Sequence, residues 1–430
     1  MSNTLPTIES IEAIEILDSR GYPTISCRVN LKGGARGQAN VPSGASTGSY
    51  EACELRDQNK QRYAGKGVLQ AKKHIIESLA GALCGKAGLS QEQLDQAMCA
   101  LDGSSNKSNY GANAILAVSI AHARALARYS KKTFYQWLGN ENVVIPVPLM
   151  NVINGGRHAH NQLAIQEFMI VPHGFSTFAE ALRAGAEVTH VLGQNFRCGK
   201  RGDEGGFAPD FKDPRQVLDC LVAAIKQADY STEQIGLALD MASSEFYTEG
   251  KYFVDKAGQD KRTPEKWVDF IDALCRDYPI VSIEDPAHES DWRCWQEITK
   301  VVGDKVQIVG DDLFVTQLDR LKQGVTTNAA NAILIKPNQV GTLSEVQETL
   351  QYARKSGYNA IISHRSGETE DTMIADLAVG LAIGQIKTGP TRQSDRVAKY
   401  NRLLWIEHEL GHAARFAGSQ AILSTEKNPC

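Results

Sequence analysis

Six short apolar runs in the second half of the chain each end in a residue able to bind a metal or move a proton. They are LALD at Asp240, VSIE at Glu284, QIVGD at Asp311, AILIK at Lys336, AIISH at His364 and GQIK at Lys387. Three carboxylates with no cysteine or histidine among them suit a hard, oxygen-preferring cation such as Mg²⁺. The lysines beside them suit an anionic substrate. Lys336 follows AILI and precedes Pro337-Asn338; a strand-end lysine next to a divalent cation can lose its proton near neutral pH, which makes it the candidate general base. Together these residue types point to metal-assisted chemistry on a small anion.

Taken singly, each acid could equally be a surface residue or a helix cap; it is their shared position at strand ends that argues for a site. Gly202-Asp203-Glu204-Gly205-Gly206 puts two acids in a glycine-rich loop, either an ordinary turn or a movable loop carrying a general acid, Glu204. Ser43-Gly44-Ala45-Ser46-Thr47-Gly48 has the glycines and hydroxyls of an anion or metal clamp but lacks the lysine of a P-loop, so it reads as a lid. Asn154-Gly155-Gly156-Arg157-His158 leaves a histidine free to point into a cleft, ahead of an apolar stretch that carries Gln166-Glu167. His408-Glu409-Leu410-Gly411-His412 matches a zinc-protease pattern by spacing. Arg415 stands where the extended pattern has glycine, and the 18 residues after His412 are too few for a convincing third ligand, so a chance match is expected.

The six strand ends are 23 to 44 residues apart, the length of a strand, a helix and two loops in a β/α barrel. Strand ends of a barrel converge on one mouth. A barrel of roughly 250 residues leaves space in 430 for a second domain. Residues 8–41 alternate apolar and polar around turn signals at Ser19-Arg20-Gly21 and Gly33-Gly34, an antiparallel sheet. Helical periodicity follows over 70–83, 91–101 and 112–129, completing an α+β unit. The expected division is an N-terminal α+β domain over 1–140, carrying an active-site loop, and a C-terminal β/α barrel over 141–430. VVIPVP at 143–148 reads as the crossing between them, 164–171 as a strand, and 175–194, 214–227 and 264–276 as helices. Neither repeats nor low-complexity segments stand out.

A hydrophobic fraction of 42% with 22% charged residues is ordinary for a soluble globular enzyme. A net charge of −4 argues against nucleic-acid binding. Nine scattered cysteines without a CxxC pair suit a reducing compartment. The start MSNTLPTIESIEAIEI lacks the basic and apolar regions of a signal peptide, and no run of 18 apolar residues exists, so the expected location is the cytoplasm, away from membranes.

Twelve ordered segments then resemble the enolase family over nearly the whole length: ILDSRG, PSGASTG, GANAILAVS, NGG with HA, QEFM, GDEGGFAP, LDMASSEFY, SIED, GDDLFVT, KPNQVG, SHRSGETED, and QIKTG with SDRVAKYN. The resemblance implies a barrel that opens with two strands and two helices before its β/α units, so that one strand runs antiparallel. It implies the Mg²⁺-dependent, reversible dehydration of 2-phospho-D-glycerate to phosphoenolpyruvate and water in glycolysis. A lysine base with one or two Mg²⁺ is a known pattern of this superfamily, and the resemblance implies it for this chain. On that pattern Asp240, Glu284 and Asp311 hold a first Mg²⁺, and Ser46 binds a second together with the phosphate. Lys336 removes the C2 proton, and Lys387 helps offset the charge on the resulting dianion. Glu204 donates to the departing C3 hydroxyl, supported by Glu167 and His158. His364, Arg365 and Ser366 hold the phosphate. A homodimer, or an octamer of four dimers, is also implied.

Some positions depart from the family pattern: Tyr22 after ILDSRG, Arg157 and His160 beside His158, Arg201 before GDEGG, and Pro390-Thr391-Arg392 after QIKTG. They keep open a paralogue that dehydrates a related phosphonate or phosphoglycerate analogue, with the added arginines favouring a more anionic substrate. A non-catalytic scaffold is disfavoured by the retained acids and bases. A zinc hydrolase built on HELGH is the remaining rival.

Overall fold

A computed structural model describes residues 5–44, 48–86, 88–139, 143–196, 199–256 and 258–422. Strands β1 (Ile8–Leu17), β2 (Pro23–Leu31) and β3 (Arg36–Asn40) form an antiparallel sheet in sequence order. The helix Ala112–Tyr129 lies on this sheet, its residues buried from Ala112 to Ala127 except Arg124. Small residues permit that closeness: a Cβ on Gly37 would lie 1.9 Å from the Ala121 carbonyl oxygen. The helix expected over 70–83 is present, but its middle is a π-helical turn, His74–Leu79, between short α segments.

The second unit is a closed eight-stranded barrel. Its wall runs β4 (Val147–Asn154), β5 (Glu167–Pro172), β6 (Ile235–Asp240), then, after a small meander of β7 (Tyr247–Thr248), β8 (Lys251–Phe253) and β9 (Lys261–Arg262), β10 (Ile280–Glu284), β11 (Gln307–Gly310), β12 (Ala332–Ile335), β13 (Asn359–Ser363) and β14 (Gln385–Lys387). β14 closes on β4 in parallel, and β5 alone is antiparallel to both its neighbours. Helices Phe178–Asn195 and Pro214–Gln227 follow β5, and each later barrel strand leads to a helix, with a short extra one, Pro337–Val340, after β12. This is the expected α/β architecture, with its reversed strand. The end of the crossing segment, Val147-Pro148, and NVIN both belong to β4, and β5 begins later than expected, at Glu167, because Ala164–Gln166 bend away from the ladder into the mouth loop.

The barrel is filled by Val147, Leu149, Met169, Val171, Ala238, Val309, Ala332, Leu334 and Ile361, with Ile422 packed against them. Inward positions of a barrel meet at its axis, so apolar layers there make a plugged core and leave only the mouth for chemistry. Helix starts are capped to match: Asp213, Thr263 and Thr342 each accept a backbone N–H from the first turn.

The two units are joined by buried polar contacts. Ser119 Oγ accepts from Leu343 N at 3.0 Å, and Asp95 accepts from Ser344 N and Oγ at 3.0 and 2.7 Å. Arg124 forks onto Asp371 at 2.8 and 2.7 Å. No helix among the described residues is long and apolar enough to cross a membrane.

Candidate active site

Barrel register builds the site. Asn154 pairs with Glu167, Glu167 with Asp240, and Asp240 with Glu284, a row across β4, β5, β6 and β10. Partners in register on adjacent strands project to the same face, about 4.8 Å apart. Because β5 is reversed, its first residue, Glu167, reaches the rim where the other strands place their last. Asp311, Lys336 and His364 each stand one residue beyond β11, β12 and β13, and Lys387 ends β14.

Lys387 is the hub of the mouth. Its Nζ lies 2.8 Å from Glu284 and 3.2 Å from both Asp240 and Glu167, all nearly fully buried. Burial would lower its pKa, but Asp240, Glu167 and Glu284 raise it well above the usual lysine value. Lys336 Nζ pairs with Asp311 Oδ2. Against the burial penalty, Asp311 lifts Lys336 above its ordinary value while Lys336 lowers Asp311. The pairing with Asp311 thus favours the charged form of Lys336.

On the opposite side His158 is wedged between two acids, its Nδ1 3.4 Å from Glu167 and 3.9 Å from Glu204. Burial alone would depress His158, yet Glu204 and Glu167 raise it to about 9. Burial and the Glu204 charge push Glu167 up to about 7. Glu204 accepts from Asn151 Nδ2 at 3.1 Å. Burial works to raise it, but His364, His158 and Arg396 outweigh that and hold it well below the carboxylate range. His364 is itself kept neutral by burial and by Arg396, so its share is that of an N–H dipole and the charge comes from His158. Within this trio the electrostatics favour the proton on His158 over Glu204.

Arg365 reaches the mouth held from the other unit. Glu51 accepts from Nη1 at 2.9 Å and Nη2 at 3.1 Å, and Asn338 Oδ1 from Nη1 at 3.0 Å. Of the expected residues, His158, Glu167, Glu204, Asp240, Asp311, Lys336, His364, Arg365, Ser366 and Lys387 line one pocket. Glu284 sits just behind that wall, bonded to Lys387. Ser46 lies outside the described residues.

Over residues 8–138 the chain matches the family described as enolase, N-terminal domain, and over 142–425 that described as enolase, C-terminal TIM barrel domain. The chain belongs to the enolase family. Membership makes it a lyase-type enzyme acting on a small molecule.

Whether these enolase-family residues suit a divalent cation is decided by the carboxylates themselves. Glu284 is raised well above the usual range by burial and by Asp240, and Asp312 to about 8 by burial and Asp311. Oxygen-only donors crowded until they compete for protons fit a hard cation. Among the described residues, donor atoms lie within 4.8 Å of one another in two groups, Asp285 with Asp311 and Asp312, and His158 with Glu167 and Glu204. Asp285 is already occupied in fastening the loop, accepting from Asp311 N and Asp312 N at 2.9 Å each. The expected set, Asp240, Glu284 and Asp311, is neither of these groups: Asp240 and Glu284 pair with Lys387, as Glu167 does, and Asp311 pairs with Lys336.

Several residues at this enolase mouth were not singled out by sequence. Glu51 follows the glycine-hydroxyl loop by three positions, and Asp285 and Asp312 each adjoin a predicted ligand. Arg396, inside SDRVAKYN, is fully buried and bonded to His364. The added arginines lie off the pocket wall: Arg157 is 63% exposed and paired with Glu245 at 2.7 Å, while Arg201 and Arg392 stand over the Phe207 ring at 3.6 and 5.6 Å. His408 and His412 are exposed, and the helix they would share ends at Leu410.

Proposed function

We propose that this enzyme dehydrates 2-phosphoglycerate to phosphoenolpyruvate and water, reversibly and with Mg²⁺. One observation carries the reading: a single buried pocket has cations for an anionic substrate, Lys336, Lys387 and Arg365, on the same wall as the carboxylates, and a histidine with two acids facing them. Asp240, Glu284 and Asp311 would hold Mg²⁺, and a second ion would bind with substrate through Ser46. An ion held there by Asp240, Glu284 and Asp311 would supply the positive charge needed to offset the second negative charge on the substrate carboxylate once its neighbouring proton has left.

The residues of the chain then divide the work. Lys336, once released from Asp311, takes the C2 proton. Lys387, close to three carboxylates, stays charged and adds electrostatic stabilisation to the dianion. His364, Arg365 and Ser366 hold the phosphate, Arg365 with a planar fork suited to its oxygens. Glu204, Glu167 and His158 share one proton network, from which a proton passes to the departing C3 hydroxyl.

Following the absorbance of the enol product tests this. Turnover of 2-phosphoglycerate that requires Mg²⁺ and disappears in Lys336→Ala supports the reading. Folded, Mg²⁺-loaded protein that leaves 2-phosphoglycerate unchanged would sink it and shift the substrate to a related phosphonate or phosphoglycerate analogue.

A further inference from the structure

Arg396 sits in the helix Ser394–Leu410 with no exposed surface, and its guanidinium spans the back of the His364-Arg365-Ser366 run. Nη1 meets His364 Nδ1 at 2.5 Å and donates to the Arg365 carbonyl at 2.6 Å, while Nη2 donates to the Ser366 carbonyl at 2.8 Å. A guanidinium has only donors to offer, so the nitrogen it meets must be the lone-pair nitrogen of the ring. The proton of a neutral imidazole is then on Nε2, which faces Glu204 Oε2 at 3.6 Å across the pocket. Gly389 lets this packing happen: a Cβ there would lie 3.1 Å from both Arg396 Cδ and His364 Cε1.

We infer that Arg396 is a positioning residue that locks His364 into its neutral, Nε2-protonated tautomer, committing it to donate one hydrogen bond into the pocket and barring it from proton exchange. The same guanidinium fixes the two carbonyls that aim Arg365 and Ser366, so one buried side chain sets three anion-binding groups. Among the charged groups that face His364, Arg396 from its helix, Lys387 from β14 and Lys336 beyond β12 oppose a positive ring, while Glu204 from the glycine loop favours one. The purpose assigned to His364 rests on the proposed reaction; its tautomer does not.

Ring-¹⁵N histidine spectra of the wild-type enzyme, with His364 assigned by loss of its signals in His364→Gln, read the tautomer directly. The expected spectrum has an unprotonated Nδ1 and a protonated Nε2 that do not change between about pH 5.5 and 9. A protonated Nδ1, or an imidazolium appearing in that range, overturns the inference without any need for a variant. Arg396→Met supplies the second reading. His364, still buried and facing Lys387 and Lys336, should stay neutral but lose its single tautomer, the Nδ1-protonated form appearing in the ring-¹⁵N spectrum. kcat/KM should fall roughly 10- to 100-fold, mainly through KM. Arg396→Lys, which keeps one donor, should restore part of both. An Arg396→Met enzyme whose His364 keeps the Nε2-protonated tautomer alone would also overturn the inference. A wild-type enzyme with the stated tautomer but no action on 2-phosphoglycerate would instead refute the proposed substrate and leave the positioning role standing.

Discussion

Glu51→Ala is expected to cost the protein more than any surface change, because Glu51 is the buried counter-charge of Arg365 across the two units. The side chains are 7% and 3% exposed, and their two bonds are 2.9 and 3.1 Å long. At about 3 Å and an effective dielectric of about 20 the gross attraction is on the order of 5 kcal/mol. What a deletion measures is the charge left behind, about 3–5 kcal/mol for a buried pair. Asn338 remains on Nη1 at 3.0 Å, which places the expectation at the lower end, about 3 kcal/mol. Glu51→Gln keeps an acceptor and should lose about half of that. The assay is a double-mutant cycle of Glu51→Ala with Arg365→Met, read from denaturant unfolding. A coupling below about 0.5 kcal/mol would refute the latch and reassign the pair to a chance contact.

Chelating divalent metal should abolish turnover and lower the melting temperature, and Mg²⁺ at about 100 times its Kd should restore about 2.7 kcal/mol of stability, seen by calorimetry. Gly206→Ala places a Cβ 2.3 Å from the buried Asn154 Oδ1; the shifted Glu204 loop should lose about 100-fold in kcat/KM while circular dichroism stays unchanged. His122, with no exposed surface and bonded to Gln91, is lowered by burial to about 4. Its folded form resists a proton that the unfolded chain accepts below about pH 6.5, so stability is full above that pH and falls by about 3 kcal/mol as pH drops to about 4. Acid-unfolding curves of His122→Gln should be correspondingly flatter over that window.

The helices over 112–129 and 214–227 could be read from sequence to the residue, since long apolar periodicity and a proline at the helix start are local signals. Asp240, Glu284, Lys336 and Lys387 were legible for a related reason: each ends an apolar run, and a parallel barrel sends such ends to one mouth. Glu167 broke that rule. It begins its strand, and only the antiparallel pairing of β5 brings it beside Asp240, a fact about neighbours that no single segment records. Glu51 and Arg396 were hidden likewise, because their partners Arg365 and His364 lie 314 and 32 residues away. Protonation was the least legible of all. Types and spacing marked Lys336 as a base and Glu204 as an acid, but they gave no sign of the Asp311 beside the one or the His158 beside the other, and both neighbours bear on where protons sit.

The reversed strand also decides what kind of segment carries His158. Later strands of the barrel pass their chain on to helices outside the wall. The segment between Asn154 and Glu167 instead leaves and re-enters at neighbouring strands that are paired with each other. Lys256 fastens it from a third side, donating to the Gly156 and Ala159 carbonyls at 2.6 and 3.0 Å. His158 is therefore anchored by the ladder itself as well as by its own loop, and its distance to Glu167 follows from strand pairing rather than from the packing of a distant helix.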